Sequence, residues 1–217
     1  MMRFGLQKAD GSAWRVLCLG AHCDDIEIGC GGTILRLTEG RRDVSVTWVV
    51  FSSSEEREQE ARKSASLFLA AACEQTVVVN RFRDGFFPYV GAPIKDYFEE
   101  LKEEISPDVV FTHYGRDCHQ DHRLISELTW NTFRDHLIFE YEIPKYDGDF
   151  GSPNAFVELD ETICERKIRY IVESFKTQQA KQWFSEDLFR AVARVRGMEA
   201  NAPTRYAEGF YLRKIVL

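Results

Sequence analysis

The stretch Gly20-Ala21-His22-Cys23-Asp24-Asp25-Ile26-Glu27-Ile28-Gly29-Cys30-Gly31-Gly32 decides the fold. It follows directly on the apolar run Trp14-Arg15-Val16-Leu17-Cys18-Leu19, which reads as a buried β-strand. A histidine and two adjacent carboxylates thus stand where a first strand ends, just before a helix. In open α/β sheets that edge is where ligands bind. A second polar cluster, His119-Gln120-Asp121-His122, follows another apolar run, Asp108-Val109-Val110-Phe111-Thr112. Imidazoles and carboxylates at two strand ends point to a divalent-metal site.

Outward from these clusters the pattern alternates strand and helix. Residues 29–39 read as a helix stopped by Gly40, and 44–51 as a second buried strand. Residues 54–72 carry helical periodicity with Ser54 and Glu55 near the N-terminus, and 76–79 form a third strand. A helix over 94–105, closed by Ser106-Pro107, precedes the fourth strand. Beyond the second cluster come a helix over 124–133, a strand over 137–143, a loop over 144–153 and a short strand over 155–159. Helices over 162–175 and 188–195, the latter ending near Gly197, lead to a last strand over 206–217.

Such alternation implies an α/β fold, a parallel sheet with helices on both faces. Right-handed crossovers favour the strand order 3-2-1-4. Strands one and four are then neighbours, and the two clusters face each other across one crevice. The glycines after the first cluster let the first helix approach the sheet closely.

The bulk numbers narrow the class. The 217 residues fit one domain, and 44 % hydrophobic residues suffice for a full core. A formal charge of −7 without basic runs argues against nucleic acid or an anionic membrane as partner. No apolar stretch has the length of a signal peptide or a membrane span, so a soluble, cytoplasmic chain without a membrane anchor is expected. The six cysteines lack a CxxC pair and read as reduced thiols that fill the core. Cys23, Cys30 and Cys118 lie beside the clusters, which leaves thiolate ligation as a minor reading.

Catalytic zinc takes three nitrogen or oxygen ligands and keeps a position for water. His22, Asp25 and His122 supply such a set, although spacing alone does not decide which of the two aspartates binds. Asp24 would then take a proton from the attacking water, His119 would stabilise or protonate the tetrahedral intermediate, and Asp121 would orient an imidazole. Iron(II) or cobalt would also accept these donors. Amide or ester hydrolysis is the matching reaction. Taken singly, each residue has a plainer explanation: a surface histidine, an aspartate turn, an exposed helix face. Three of five histidines joined by three aspartates at two strand ends are hard to explain that way. A dinucleotide site fails, because no G-x-G-x-x-G is present and Asp24, Asp25 and Glu27 would repel a pyrophosphate.

The motif His22-Cys23-Asp24-Asp25-Ile26-Glu27 with Gly31-Gly32 resembles the AHPDDxE…GG signature of the PIG-L/LmbE-like zinc-dependent deacetylases. His119-Gln120-Asp121-His122 resembles their H-x-D-H motif. Arg57 and Glu60 resemble the R-x-x-E stretch, Asp84-Gly85 the D-G stretch, and Ala207-Glu208-Gly209-Phe210 the closing A-E-x-F. The resemblance implies a three-layer, Rossmann-like, mostly parallel sheet, with residues 1–217 forming a single deacetylase domain. It implies removal of an N-acetyl group from an N-acetylglucosamine-type sugar, a small-molecule substrate, and assembly into a homo-oligomer. Zinc would be held by His22, Asp25 and His122, with Asp24 as general base. His119 would stabilise the oxyanion or act as acid with support from Asp121, and Arg57 and Asp84 would contact sugar hydroxyls.

Cys23 replaces the proline usual in the motif, which would loosen the ligand loop or let a thiol approach the metal. Asp117 would orient His119 or merely sit in its loop. The segment 140–156, with Tyr141, Lys145, Tyr146, Asp147 and Phe150, suits a sugar-binding wall as well as a plain surface loop. Lys181-Gln182-Trp183-Phe184 reads as a pocket rim or a patch covered by another subunit. Two rival readings keep the same metal site: an amidohydrolase or esterase with a non-sugar acyl substrate, and a non-catalytic metal- or sugar-binding relative.

Overall fold

In the computed structural model, which describes residues 8, 12–41 and 43–215, strand β1 (Trp14–Gly20) sends Val16 and Cys18 to one face of the sheet and Leu17 and Leu19 to the other. All four are buried, as a strand covered on both sides requires. Around it lie β2 (Val44–Val50), β3 (Glu74–Val79), β4 (Val109–His113), β5 (Leu137–Tyr141), β6 (Ala155–Leu159) and β7 (Tyr206–Tyr211). The sheet order is β3-β2-β1-β4-β5-β7-β6, so the expected 3-2-1-4 start is present. Strands β1 to β5 are parallel, whereas β7 runs antiparallel to both β5 and β6.

Helices α1 (Asp25–Gly40), α2 (Glu55–Phe68), α5 (Glu161–Ser174) and α6 (Glu186–Glu199) contribute to the core on one face, around Trp48, Phe68, Phe175 and Phe210. Helices α3 (Gly91–Glu104) and α4 (Gln120–Thr132) pack over Phe51, Phe98 and Phe133 on the other. Among the described residues no helix is long and apolar enough to cross a membrane.

Three helices start well ahead of expectation, among them α3 at Gly91 rather than residue 94. Helix α1 begins at Asp25, ahead of residue 29, and α4 at Gln120, ahead of residue 124, with His119 as its N-cap. Each polar cluster therefore runs from a strand-end turn into the first turn of a helix. The glycines of α1, expected to permit close approach, are demanded by packing. A Cβ on Gly29 would stand 2.5 Å from Tyr141 Cγ, and one on Gly31 would stand 2.5 Å from Phe68 Cε1. Helix α6 likewise runs through Gly197, where a Cβ would lie 2.5 Å from the carbonyl carbon of Arg205 in the returning chain. The last strand stops at Tyr211, and residues 216–217 of the expected strand lie outside the described residues.

Helix α1 is also gripped from within the core. Glu208 on β7 accepts from the backbone amides of Gly32 (2.8 Å) and Thr33 (2.7 Å), from Thr33 Oγ1 (2.6 Å) and from Lys167 Nζ (2.6 Å). Lys167 Nζ also donates to the Ile28 carbonyl at 2.7 Å. The buried Lys167–Glu208 pair thus contacts both Ile28 O and Gly32 N, one turn apart on α1.

Candidate metal centre and active site

Pairing of β1 with β4 brings the two clusters together at the C-terminal edge of the sheet. His22 lies in the β1–α1 turn, Asp25 opens α1, and His122 sits in the first turn of α4. The turn is locked by the His22 amide, which donates to Asp25 Oδ2 at 2.6 Å. His22 Nδ1 and His122 Nε2 then face each other at 3.2 Å, although 100 residues separate them. Asp25 closes the triangle, its Oδ2 lying 3.3 Å from His22 Nδ1 and its Oδ1 3.6 Å from His122 Nε2. All three residues are buried.

A metal ion is within reach of these side chains, which fall in three overlapping candidate ligand groups among the described residues: His22–His119–His122, Asp25–His113–His122 and His22–Asp84–Asp121. Bonds of 2.0–2.1 Å in a tetrahedral site place neighbouring ligand atoms about 3.3 Å apart, close to the spacings seen. The electrostatics agree with that fit. Burial and the neighbouring His113 push His122 down to about 3, so its imidazole is neutral. Its Nδ1 faces Asp117 Oδ2 at 2.9 Å, which places the ring proton there and leaves the Nε2 lone pair for a ligand. Burial opposes ionisation of Asp25, yet His122, His113 and His22 around it hold its carboxyl well below the usual range. His22 shows the reverse: against the burial that lowers it, Asp25, Asp121 and Asp84 hold its pKa well above 6.5. The pocket is built to surround a positive charge.

The flanking residues separate into two sides. On one, Asp24 Oδ1 accepts from Arg57 Nη2 at 2.7 Å, and the Arg57 side chain is largely buried. On the other, Asp121 points away from His119. Its Oδ2 accepts the Gly85 amide (2.6 Å), its Oδ1 accepts the Phe87 amide (3.1 Å), and it lies 3.4 Å from His22 Nε2. The carboxylate thus pins residues 84–87 against His22, on whose ring Phe87 stacks at 6.1 Å between centroids. Asp84 Oδ1 stands 3.0 Å from His22 Nε2, and that contact, together with the His22 charge, lowers Asp84 to about 2 against the burial that raises it. The Asp84 side chain remains mostly exposed. His119 Nδ1 accepts the Asp121 amide at 3.3 Å, so a neutral ring carries its proton on Nε2. Burial and the neighbouring His22 lower its pKa.

Cys23 does not join the ligand atoms. Its thiol donates to Ser52 O at 3.4 Å, burial pushes its pKa up to about 12, and among the described residues no candidate metal-binding group includes a cysteine. Asp117 faces His122 through its carboxylate, and from His119 it takes the backbone amide, at 2.7 Å, not the ring. The residue missed from sequence is His113. It ends β4, stacks on His122 at 3.9 Å between centroids, accepts the Ala21 amide at 2.9 Å and lies 3.2 Å from Asp25 Oδ2. Extending the fourth strand by one residue past Thr112 would have placed it at the same edge as His22.

Comparison with known proteins follows the same outline. A family model described as PIG-L, GlcNAc-PI de-N-acetylase, matches residues 17–133, more than half of the chain, from within β1 through α4. YaiS of Escherichia coli K12, an uncharacterized deacetylase, is 28% identical over 158 residues, covering 67% of this chain and 82% of that protein. The N,N'-diacetylchitobiose deacetylase of Pyrococcus horikoshii superposes with a TM-score of 0.70 at 25% identity, over 96% of this chain and 87% of that one. The conserved protein TT1542 of Thermus thermophilus superposes with a TM-score of 0.75 at 20% identity, over 93% of this chain and 95% of that one. With both polar clusters, Arg57 and Asp84 all inside the matched span, the chain belongs to the PIG-L, GlcNAc-PI de-N-acetylase, family.

Proposed function

We propose that this deacetylase is a zinc enzyme that hydrolyses the N-acetyl group of an N-acetylglucosamine-type sugar in the cytoplasm, the whole chain working as one domain. The observation that carries the reading is the buried triangle of His22 Nδ1, His122 Nε2 and Asp25, with the carboxylate of Asp24 beside it in sequence and held by Arg57. A purely metal-binding site needs no such additional oriented carboxylate. The sugar reading draws on the Pyrococcus protein, a deacetylase of N,N'-diacetylchitobiose, and on the family description, which names GlcNAc-PI.

His22, Asp25 and His122 would hold the ion. When bound, it supplies Lewis-acid polarisation of the amide carbonyl and a lowered pKa for the attacking water. Asp24 takes the proton of that water, and the Arg57 guanidinium fixes which carboxylate oxygen is free to do so. His119, with its proton on Nε2, donates a hydrogen bond to the oxygen that gains charge, and the proton taken up by Asp24 is the one passed on to the leaving amine. Asp121 holds residues 85–87 and the His22 ring in register. Because Arg57 is committed to Asp24, recognition of sugar hydroxyls falls to the exposed Asp84 and the neighbouring loops.

The test is metal analysis of the purified protein combined with acetate release from a panel of N-acetylglucosaminides. The reading predicts about one zinc per chain and acetate release that stops on chelation and returns with zinc. Undiminished acetate release from fully chelated protein would remove the metal role. Bound zinc with no acetate from any sugar would move the substrate to another acyl compound.

A further inference from the structure

The loop between β5 and β6 reaches the proposed metal centre through the ammonium of Lys145. Lys145 Nζ stands 3.0 Å from Asp117 Oδ2 and 2.7 and 2.6 Å from the two carboxylate oxygens of Asp149, and the side chain is only 9% exposed. Asp117 Oδ2 is the same oxygen that faces His122 Nδ1 at 2.9 Å. Its other oxygen takes the His119 amide at 2.7 Å, and Asp149 Oδ2 takes the Cys118 amide at 2.7 Å. The contacts close a ring: Asp117 to Lys145, Lys145 to Asp149, Asp149 to Cys118, and Cys118 back along the chain to Asp117.

A surface lysine pair contributes little and leaves its carboxylate free to turn. Here the ammonium is largely desolvated between two carboxylates, a state that is favourable only while both partners stay in place. One of those partners determines which nitrogen of His122 carries its proton. Without Lys145, the Asp117 carboxylate would lose its nearest cation and could swing away from the imidazole, freeing the ring to rotate or change tautomer.

We propose that Lys145 is a positioning residue for the metal ligand His122, acting through Asp117, so that the β5–β6 loop and the metal centre are fastened as one unit. The proposal rests on the metal-centre reading above. Its consequence is that a residue on the β5–β6 loop, whose ammonium meets Asp117 and not the ligand atoms, sets the affinity for the metal.

The measurement is zinc affinity of the folded, full-length chain by competition with a fluorescent chelator. Lys145→Met is expected to weaken zinc binding by about tenfold or more, and Asp117→Asn to weaken it at least as much. The double variant should bind within about twofold of Asp117→Asn alone, because both changes remove one path. Asp149→Asn, which leaves Lys145 on Asp117, should change affinity by less than about threefold. If Lys145→Met fails to fold, Lys145→Gln is read in the same way. Zinc affinity of the Lys145 variant within about twofold of the unaltered chain, or losses that multiply in the double variant, would overturn the proposal. Failure of the unaltered chain to bind zinc would instead overturn the metal-centre reading, and this inference with it.

Discussion

Gly29 of α1 lies so close to Tyr141 of β5 that a Cβ there would stand 2.5 Å from Tyr141 Cγ. Tyr141 cannot retreat, because its hydroxyl donates to the Leu19 carbonyl at 2.6 Å and its ring meets that of His113 at 4.8 Å between centroids. The missing methyl sets how deeply the helix that opens with Asp25 sits on the sheet. Gly29→Ala should therefore destabilise the fold by about 1–3 kcal/mol and weaken zinc binding as well. Gly40→Ala, where a Cβ meets nothing within 4 Å, should leave both unchanged. Denaturant unfolding and chelator competition on the two variants provide the comparison.

Alanine at His22, Asp25 or His122 should each remove most of the bound zinc, measured by elemental analysis after gel filtration. Cys23→Ser should keep it, since the thiol faces Ser52 O instead. With its pKa pushed up to about 12 by burial, Cys23 should also resist alkylation in the native protein while the exposed Cys73 and Cys118 react. Zinc lost in Cys23→Ser would reinstate thiolate ligation.

Asp24→Asn should retain zinc and lower kcat by about 10²–10⁴-fold, the range for a general base. Arg57→Met should act on the same step, reducing kcat more than it raises KM, because its guanidinium holds Asp24 at 2.7 Å. Asp84→Ala should do the opposite and raise KM for a glycoside more than for a small acetamide. Equal KM effects from Arg57 and Asp84 would return Arg57 to direct sugar contact.

Asp108, just before β4, offers a pH test away from the metal centre. Burial raises its pKa, but the Arg15 amide at 2.8 Å and Lys8 Nζ at 2.9 Å outweigh it and hold the group below its ordinary 3.8. A carboxyl whose folded pKa is depressed adds stability above the unfolded value and loses it as pH falls through the folded value. Asp108→Asn should thus lower Tm at neutral pH, with the difference from the unaltered chain shrinking below about pH 3.8 and closing at lower pH. A gap that persists at low pH would assign the effect to lost hydrogen-bond geometry instead.

The parallel half of the sheet was legible because each strand is a short apolar run bounded by polar turns, and crossover handedness leaves few orders for such runs. That logic alone brought His22 and His122 into one crevice. What sequence hid are relations that depend on distant partners. The close approach that the glycines of α1 allow was legible, but the side chains they meet, Tyr141 and Phe68, were not. Arg57, expected on sugar hydroxyls, also holds Asp24, a contact no spacing announces. Asp117 had two imidazoles within reach along the chain, and only the helical turn of α4 selects His122. The insertion of β7 between β5 and β6 follows no local pattern, since antiparallel return at a sheet edge is decided by which faces remain uncovered.

The grip of Glu208 on α1 has a temporal side. Strand β7 leaves the ribosome well after α1 and α4, yet it supplies the carboxylate on which the amides of Gly32 and Thr33 close. A nascent chain that already carries His22, Asp25 and His122 still lacks the anchor that seats the helix between them. On the metal-centre reading, metal capture should therefore wait until β7 has emerged.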